Sequence, residues 1–166
     1  EVMRDKCVQC RKDFFASIPE KGLLDTQIVL PSYHLKNNHT LHPQLQNWKV
    51  YTFECAKNTG DTVLWNKKAK ILFAGRLVFS GIIPSLLHAN TKEWEKALIK
   101  LSNLKPKHVI GSGVAGGTES FQAMDLEITR QYISSLLKIV TEDFNSGGNG
   151  ANADKRLQLP EFKKLK

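Results

Sequence analysis

Few side chains in this 166-residue sequence are typed and spaced for chemistry. Cys7 and Cys10 form one C-x-x-C pair, and Cys55 stands alone. A structural zinc site takes two further ligands at similar spacing, and no second pair exists. "CVQC" lies in a helical pattern rather than at a strand-to-helix turn, which favours helix-face residues over a redox pair. The histidines are His34, His39, His42, His88 and His108, and "HTLH" holds the one close pair. Ser112 has no neighbouring His–Asp pattern to make it a nucleophile. The remaining candidates are cationic. Lys57 and Arg76 precede a glycine-rich run, "GSGVAGG" (111–117). Backbone amides of such a run and two cations suit an anion, phosphate or carboxylate. The plainer alternative is that both cations face solvent.

Those residues need a scaffold. The length suffices for one domain with a real core. A composition of 41% hydrophobic and 24% charged residues is that of an ordinary soluble globular protein. The formal net charge is +8 and the pI about 9.4. The lysines are scattered, with the densest runs in "NKKAK" and "EFKKLK". No basic stripe with interleaved aromatics exists, so nucleic acid is not an expected partner. No apolar run approaches a membrane span, so no membrane is expected either. No signal peptide is visible. The first residue is Glu, so the chain is open to being a fragment, and its compartment is unread.

The periodicities give an α/β order. Val2, Cys7, Cys10, Phe14 and Ile18 share one helical face, closed by Pro19. "QIVL" (27–30) is a short strand before Pro31. "YHLKNNHTLH" (33–42) reads as a small hairpin turning at Asn37–Asn38. "NWKVYTFEC" (47–55), "DTVLWN" (61–66) and "KILFAG" (70–75) are strands, and Gly75 and Gly81 bracket "RLVFS". Asn90 or Thr91 caps a helix whose Trp94, Ala97, Leu98, Leu101 and Leu104 follow the i, i+3, i+4 spacing. Pro106 stops it. "HVIG" (108–111) is a buried strand and 111–117 a loop. A second helix spans about Thr118 to Phe144, striped by Phe121, Met124, Ile128, Tyr132, Leu136 and Ile139 or Val140. "IIPSLLH" (82–88) is a buried loop. Trp65 and Trp94 are core, Trp48 is half-exposed, and His108 is a core or edge residue.

From about Val50 to Gly117 the chain resembles the second half of a metallo-β-lactamase-fold hydrolase. "KNTGDTVLW" stands where the family has His-Thr-Pro/Ala-Gly-Asp entering a strand. "ILFAGRLVF" stands where it has a strand ending in Gly-Asp or Gly-Cys. "KPKHVIGSGVAGG" stands where it has a strand ending in Gly-His-Gly. The resemblance implies an αββα sandwich, here its second half, over residues 1–144, with 145–166 a flexible linker and basic tail. It implies zinc as the family's cofactor, activating a water for hydrolysis. The earlier family motif, His-x-His-x-Asp-His, is absent, and with it the first half of the usual domain.

The three family ligand positions in this half map to Lys57, Arg76 and Ser112. Zinc takes thiolate, neutral imidazole or carboxylate. A guanidinium offers no lone pair, an ammonium must first lose a proton, and a serine hydroxyl is a poor ligand. No metal, cofactor or catalytic residue is therefore expected in this chain. The backbone-shaping residues Gly60, Asp61, Gly75, Gly111 and Gly113 are kept, and the family position of Asp61 holds the loop rather than metal. Three functions follow as expectations: an inactive or truncated relative of the hydrolases; an active zinc hydrolase whose first half comes from another chain or lies outside this sequence; or a module binding a small anion at Lys57, Arg76 and Ser112. Half a sandwich also leaves one sheet face uncovered, so a homodimer or a protein partner is expected there.

Overall fold

The computed structural model describes residues 35, 41, 43–114, 122–151 and 153–165. The expected helix over 2–18 with Cys7 and Cys10, the strand at 27–30, and the hairpin carrying His34, His39 and His42 lie outside the described residues, as does 115–121.

Alternating side chains build a four-stranded sheet in the order β1-β2-β3-β4. The strands are β1 (Trp48–Cys55), β2 (Thr59–Asn66), β3 (Ile71–Ser80) and β4 (His108–Val114). The first three form an antiparallel meander, and β4 pairs parallel to β3. A parallel partner needs a crossover, which helix α1 (Thr91–Ser102) supplies. The β2–β3 turn is set by Asn66, whose Oδ1 accepts the Ala69 N–H at 2.9 Å. Lys70 then takes a left-handed φ of 56°.

Two expected boundaries move. Gly75 does not end a strand. At φ +53° it sits where the β3–β4 register shifts, so β3 runs through it as a bulged ten-residue strand. Gly111 to Val114 continue β4 instead of starting the loop, because Gly111 pairs with Gly75 and Gly113 with Phe79. The loop after β3 is also more open than expected. Ile83 and Leu87 are exposed and only Pro84 is buried, which lets water satisfy its backbone.

Both long helices cover one sheet face. Helix α1 begins as its sequence demands, with Asn90 Oδ1 accepting the Glu93 N–H at 3.2 Å. Trp94, Ala97, Leu98 and Leu101 meet Val63, Trp65, Leu72, Ala74 and Val109 of the sheet. Each large apolar side chain so buried contributes about 2 kcal/mol. Helix α2 (Ala123–Asn145) is turned from the expected stripe. Met124 and Val140 are exposed, whereas Asp125, Leu126, Thr129, Tyr132 and Ile133 are buried.

The rotation has a polar cause. Asp125 Oδ1 accepts the Ser80 hydroxyl at 3.0 Å, and its Oδ2 accepts the Gln122 N–H at 2.6 Å. Thr129 Oγ1 accepts the Phe79 N–H and donates to the Phe79 carbonyl, both at 3.2 Å. These bonds lock the end of β3 to α2. Ser80→Ala strands a buried carboxylate oxygen, so it is expected to lower the unfolding free energy by about 1 kcal/mol in urea titration. No loss would show that the Ser80–Asp125 bond is not formed in solution.

The opposite face is the row Val50, Leu64, Phe73 and Ile110, aligned by register. Val50 is fully buried, while Phe73 and Ile110 are 40% and 41% exposed. Trp48 leans on Phe73 with ring centroids 5.5 Å apart. Beyond α2, residues read as linker and tail form a short helix α3 (Ala153–Arg156) and a 3-10 turn at Pro160–Phe162. Leu159, Phe162 and Leu165, three apart, seat this stretch on the core, with the Phe162 ring edge-on to Tyr132 at 5.3 Å. Arg156 pairs with Asp143 at 2.9 Å. Among the described residues no helix is long and apolar enough to cross a membrane.

Candidate functional site

The short loop between β1 and β2 carries Ala56, Lys57 and Asn58. It is fixed from two sides. The Ala56 carbonyl accepts the Asn90 N–H at 2.8 Å, which ties the loop to the start of α1. Asp61 Oδ2 accepts the Asn58 N–H at 2.6 Å, the loop-holding task expected of that carboxylate. Gly60 follows at φ +79°, with open space where a Cβ would stand.

This loop turns Lys57 inward. The residue is 2% exposed. Its Nζ lies 5.7 Å from the centroid of the Trp94 ring, which is itself fully buried and donates its indole N–H to the Leu77 carbonyl at 3.1 Å. Lys57 is thus held by aromatic face and aliphatic packing. Burial pushes its pKa down from the ordinary lysine value, the Arg76 charge pushes it further, and Asp61 offsets part of both. The expectation that both cations point to solvent holds for Arg76 and fails for Lys57.

Arg76 stands on β3 directly after the Gly75 bulge. A Cβ on Gly75 would lie 3.7 Å from the Thr62 carbonyl oxygen, so β2 and β3 run close there and Arg76 comes alongside the start of β2. Its side chain is exposed. Among the described residues neither Lys57 nor Arg76 makes an ion pair. Ser112 is exposed on β4, opposite the bulged stretch between the Gly75–Gly111 and Phe79–Gly113 pairs. Lys57 thus lies in the loop before β2, Arg76 on β3 and Ser112 on the neighbouring β4. His108 opens β4 as an exposed edge residue, not a core one.

Chemically this is a poor metal site. Its donors are an ammonium, a guanidinium and a hydroxyl, and among the described residues no three His, Cys, Asp or Glu side chains group to hold a metal ion. Sequence reasoning missed the Trp94 floor beneath Lys57, because the two are 37 residues apart (94 − 57) and nothing local links them. It also missed Ser80, Asp125 and Thr129. The one signal was two polar residues four apart on a helix otherwise striped with apolar ones.

A three-stranded meander, a helical crossover and a parallel fourth strand, with both helices on one face, have counterparts among solved structures. The crystal structure of DIM-1 metallo-beta-lactamase superposes with a TM-score of 0.50 at 23% identity, covering 63% of this chain and 49% of that one. The same enzyme exposed to ceftazidime gives a TM-score of 0.50 and covers 63% and 48%. This chain carries part of the metallo-β-lactamase fold. It spans about half the length of the solved structures it matches. No family model matches the sequence, and no curated protein sequence matches it.

Proposed function

We propose that this chain is a metallo-β-lactamase-like domain that does not carry out the family's metal-dependent hydrolysis. The observation that carries the reading is Lys57. Set by the sequence resemblance at the place of a family metal-binding histidine, it is buried against Trp94 and offers a cation, and the Arg76 charge lowers its proton affinity further. A dication entering there meets two like charges, a repulsion on the order of several kcal/mol at a few Å even with effective screening. The residues present do not fit zinc. The half-length match favours a second reading, in which the rest of the fold comes from another chain or from sequence beyond this one. That arrangement inherits the same cations.

Elemental analysis tests the first reading. After loading with zinc and washing, the purified chain is expected to hold well under one zinc per molecule. One or two equivalents, lost on substitution of Lys57, Arg76 or Ser112, would overturn the reading and direct attention to hydrolase assays.

A further inference from the structure

We propose that Lys67, Lys68, Lys70, Lys105 and Lys107, on two adjoining turns, seat the chain on an anionic lipid surface, with Trp48 and Phe73 beside them entering the headgroup layer. This seat lies at the end of the sheet opposite the Lys57 loop and does not depend on how that loop is read.

In sequence these lysines form two short runs 35 residues apart (105 − 70). The fold joins them. The Lys70 carbonyl accepts the Lys107 N–H at 2.9 Å and the His108 N–H at 3.1 Å. The Lys67 N–H donates to the Asn47 carbonyl at 3.2 Å, which brings in the start of β1. The β2–β3 turn and the turn between α1 and β4 therefore stand side by side at one end of the sheet. Lys67, Lys68, Lys105 and Lys107 are exposed, so their ammonium groups are open to a partner. Lys70 is half-buried, with its Nζ 5.6 Å from the centroid of the Trp65 ring. Both turns hold a lysine in left-handed backbone, Lys70 at φ 56° and Lys105 at φ 53°, where glycine would be at ease. No carboxylate occurs in the sequence from 62 to 92 or from 96 to 118. Helix α2, tied at its start to the end of β3, runs back towards this end and adds Glu142 and Asp143, of which Asp143 is spent on Arg156.

Charge alone suits any polyanion, and the neighbours select lipid. Trp48 pairs with Asn66 at the edge of the β2–β3 turn and is half-exposed. It leans on Phe73, near the start of β3, and Phe73, Ile110 and Leu45 are all exposed. Aliphatic side chains give a nucleic-acid base nothing to stack on, and the two turns hold no arginine fork for a base edge or a phosphodiester. Lysines beside exposed apolar side chains and a half-exposed tryptophan are what a peripheral protein presents to an anionic leaflet: the charges draw it in and the apolar groups enter. Attachment of this kind needs no span. The lack of an apolar run in the sequence speaks against a span alone.

The test mixes the full chain with vesicles of phosphatidylcholine alone, with vesicles of equal parts phosphatidylcholine and phosphatidylglycerol, and with duplex DNA. Binding is read by co-sedimentation and by tryptophan emission, which reports on Trp48 because Trp65 and Trp94 are buried. Saturable binding to the anionic vesicles with a blue shift is expected, and binding at least about tenfold weaker to phosphatidylcholine. The triple variant Lys67→Gln, Lys68→Gln, Lys107→Gln is expected to weaken it about a hundredfold, at roughly fivefold per lysine. The triple variant Lys92→Gln, Lys163→Gln, Lys164→Gln removes the same charge elsewhere and is expected to weaken it less than about threefold. All six lysines are exposed, so both triples are expected to keep the far-UV circular dichroism of the natural chain. Phe73→Ser is expected to weaken binding about fivefold and to reduce the blue shift. Equal losses in the two triples would reduce the effect to net charge and overturn the seat. Duplex DNA bound as tightly as the anionic vesicles, or in their place, would overturn lipid as the partner and name nucleic acid. Binding without a blue shift, or unmoved by Phe73→Ser, would overturn the part given to Trp48 and Phe73. Binding to neither vesicles nor DNA would overturn the surface altogether.

Discussion

Trp94→Ala is expected to cost about 3–5 kcal/mol of folding free energy, a large share of the roughly 5–15 kcal/mol that a domain of this size has. Three losses coincide. The indole is fully buried between α1 and the sheet, so its removal leaves a cavity. Its N–H no longer satisfies the Leu77 carbonyl, and its edge contact with Phe79, at 6.0 Å between centroids, disappears. Lys57 also loses the aromatic face over which its ammonium sits. Urea unfolding followed by far-UV circular dichroism gives the number. Trp94→Phe separates the terms: it keeps most of the volume and loses the donor, and about 1–2 kcal/mol is expected. A cost for Trp94→Ala below about 1 kcal/mol would mean that α1 does not dock on β3 through this residue.

Lys57→Met is expected to work in the opposite direction and to stabilise the chain by about 1–2 kcal/mol at neutral pH. Methionine keeps the unbranched stem against Trp94 and removes the uncompensated charge. The pH dependence follows from the depressed proton affinity of Lys57 in the folded state. Below the folded pKa, both states are protonated and the cost of the buried charge is fully present. Between the folded pKa and the ordinary lysine value of 10.5, the unfolded chain binds more protons, so stability rises with pH. Above both values the cost is gone. The advantage of methionine over the natural residue is therefore largest at neutral and acidic pH and closes as pH approaches 10.5. Thermal unfolding of both proteins across that range, without phosphate, reads it directly. A destabilising Lys57→Met, or a gap that does not move with pH, would show that the ammonium is already compensated.

How much of this was legible in the sequence varies from element to element. Short-range physics fixed the sheet and the crossover. Alternation in "NWKVYTFEC" gave β1, the asparagine cap and Trp94–Leu101 spacing gave α1, and Pro106 ended it. The order of "GDTVLW", "ILFAG" and "LKPKHVIGSG" pointed to the metallo-β-lactamase fold, and the superposition at half length agrees. The cationic character of Lys57 and Arg76 was visible too, since residue type alone decides whether a side chain has a lone pair to give.

Tertiary structure decided the rest. The stripe on α2 was read one way from its apolar residues and settled another, because Asp125 and Thr129 are satisfied only by Ser80 and Phe79, some 45 to 50 residues away in sequence. Gly75 reads as a strand end, and only its pairing with Gly111 shows that the strand bulges and continues. Above all, "KNTGD" states that a lysine is present but not where its charge goes. Burial of Lys57 follows from the Asn90 N–H holding the Ala56 carbonyl and from the Trp94 indole that the same helix brings over it. Local sequence determines which groups can bond or carry charge. Which of them lose their water depends on surfaces brought together from distant parts of the chain, and that desolvation sets the cost of Lys57.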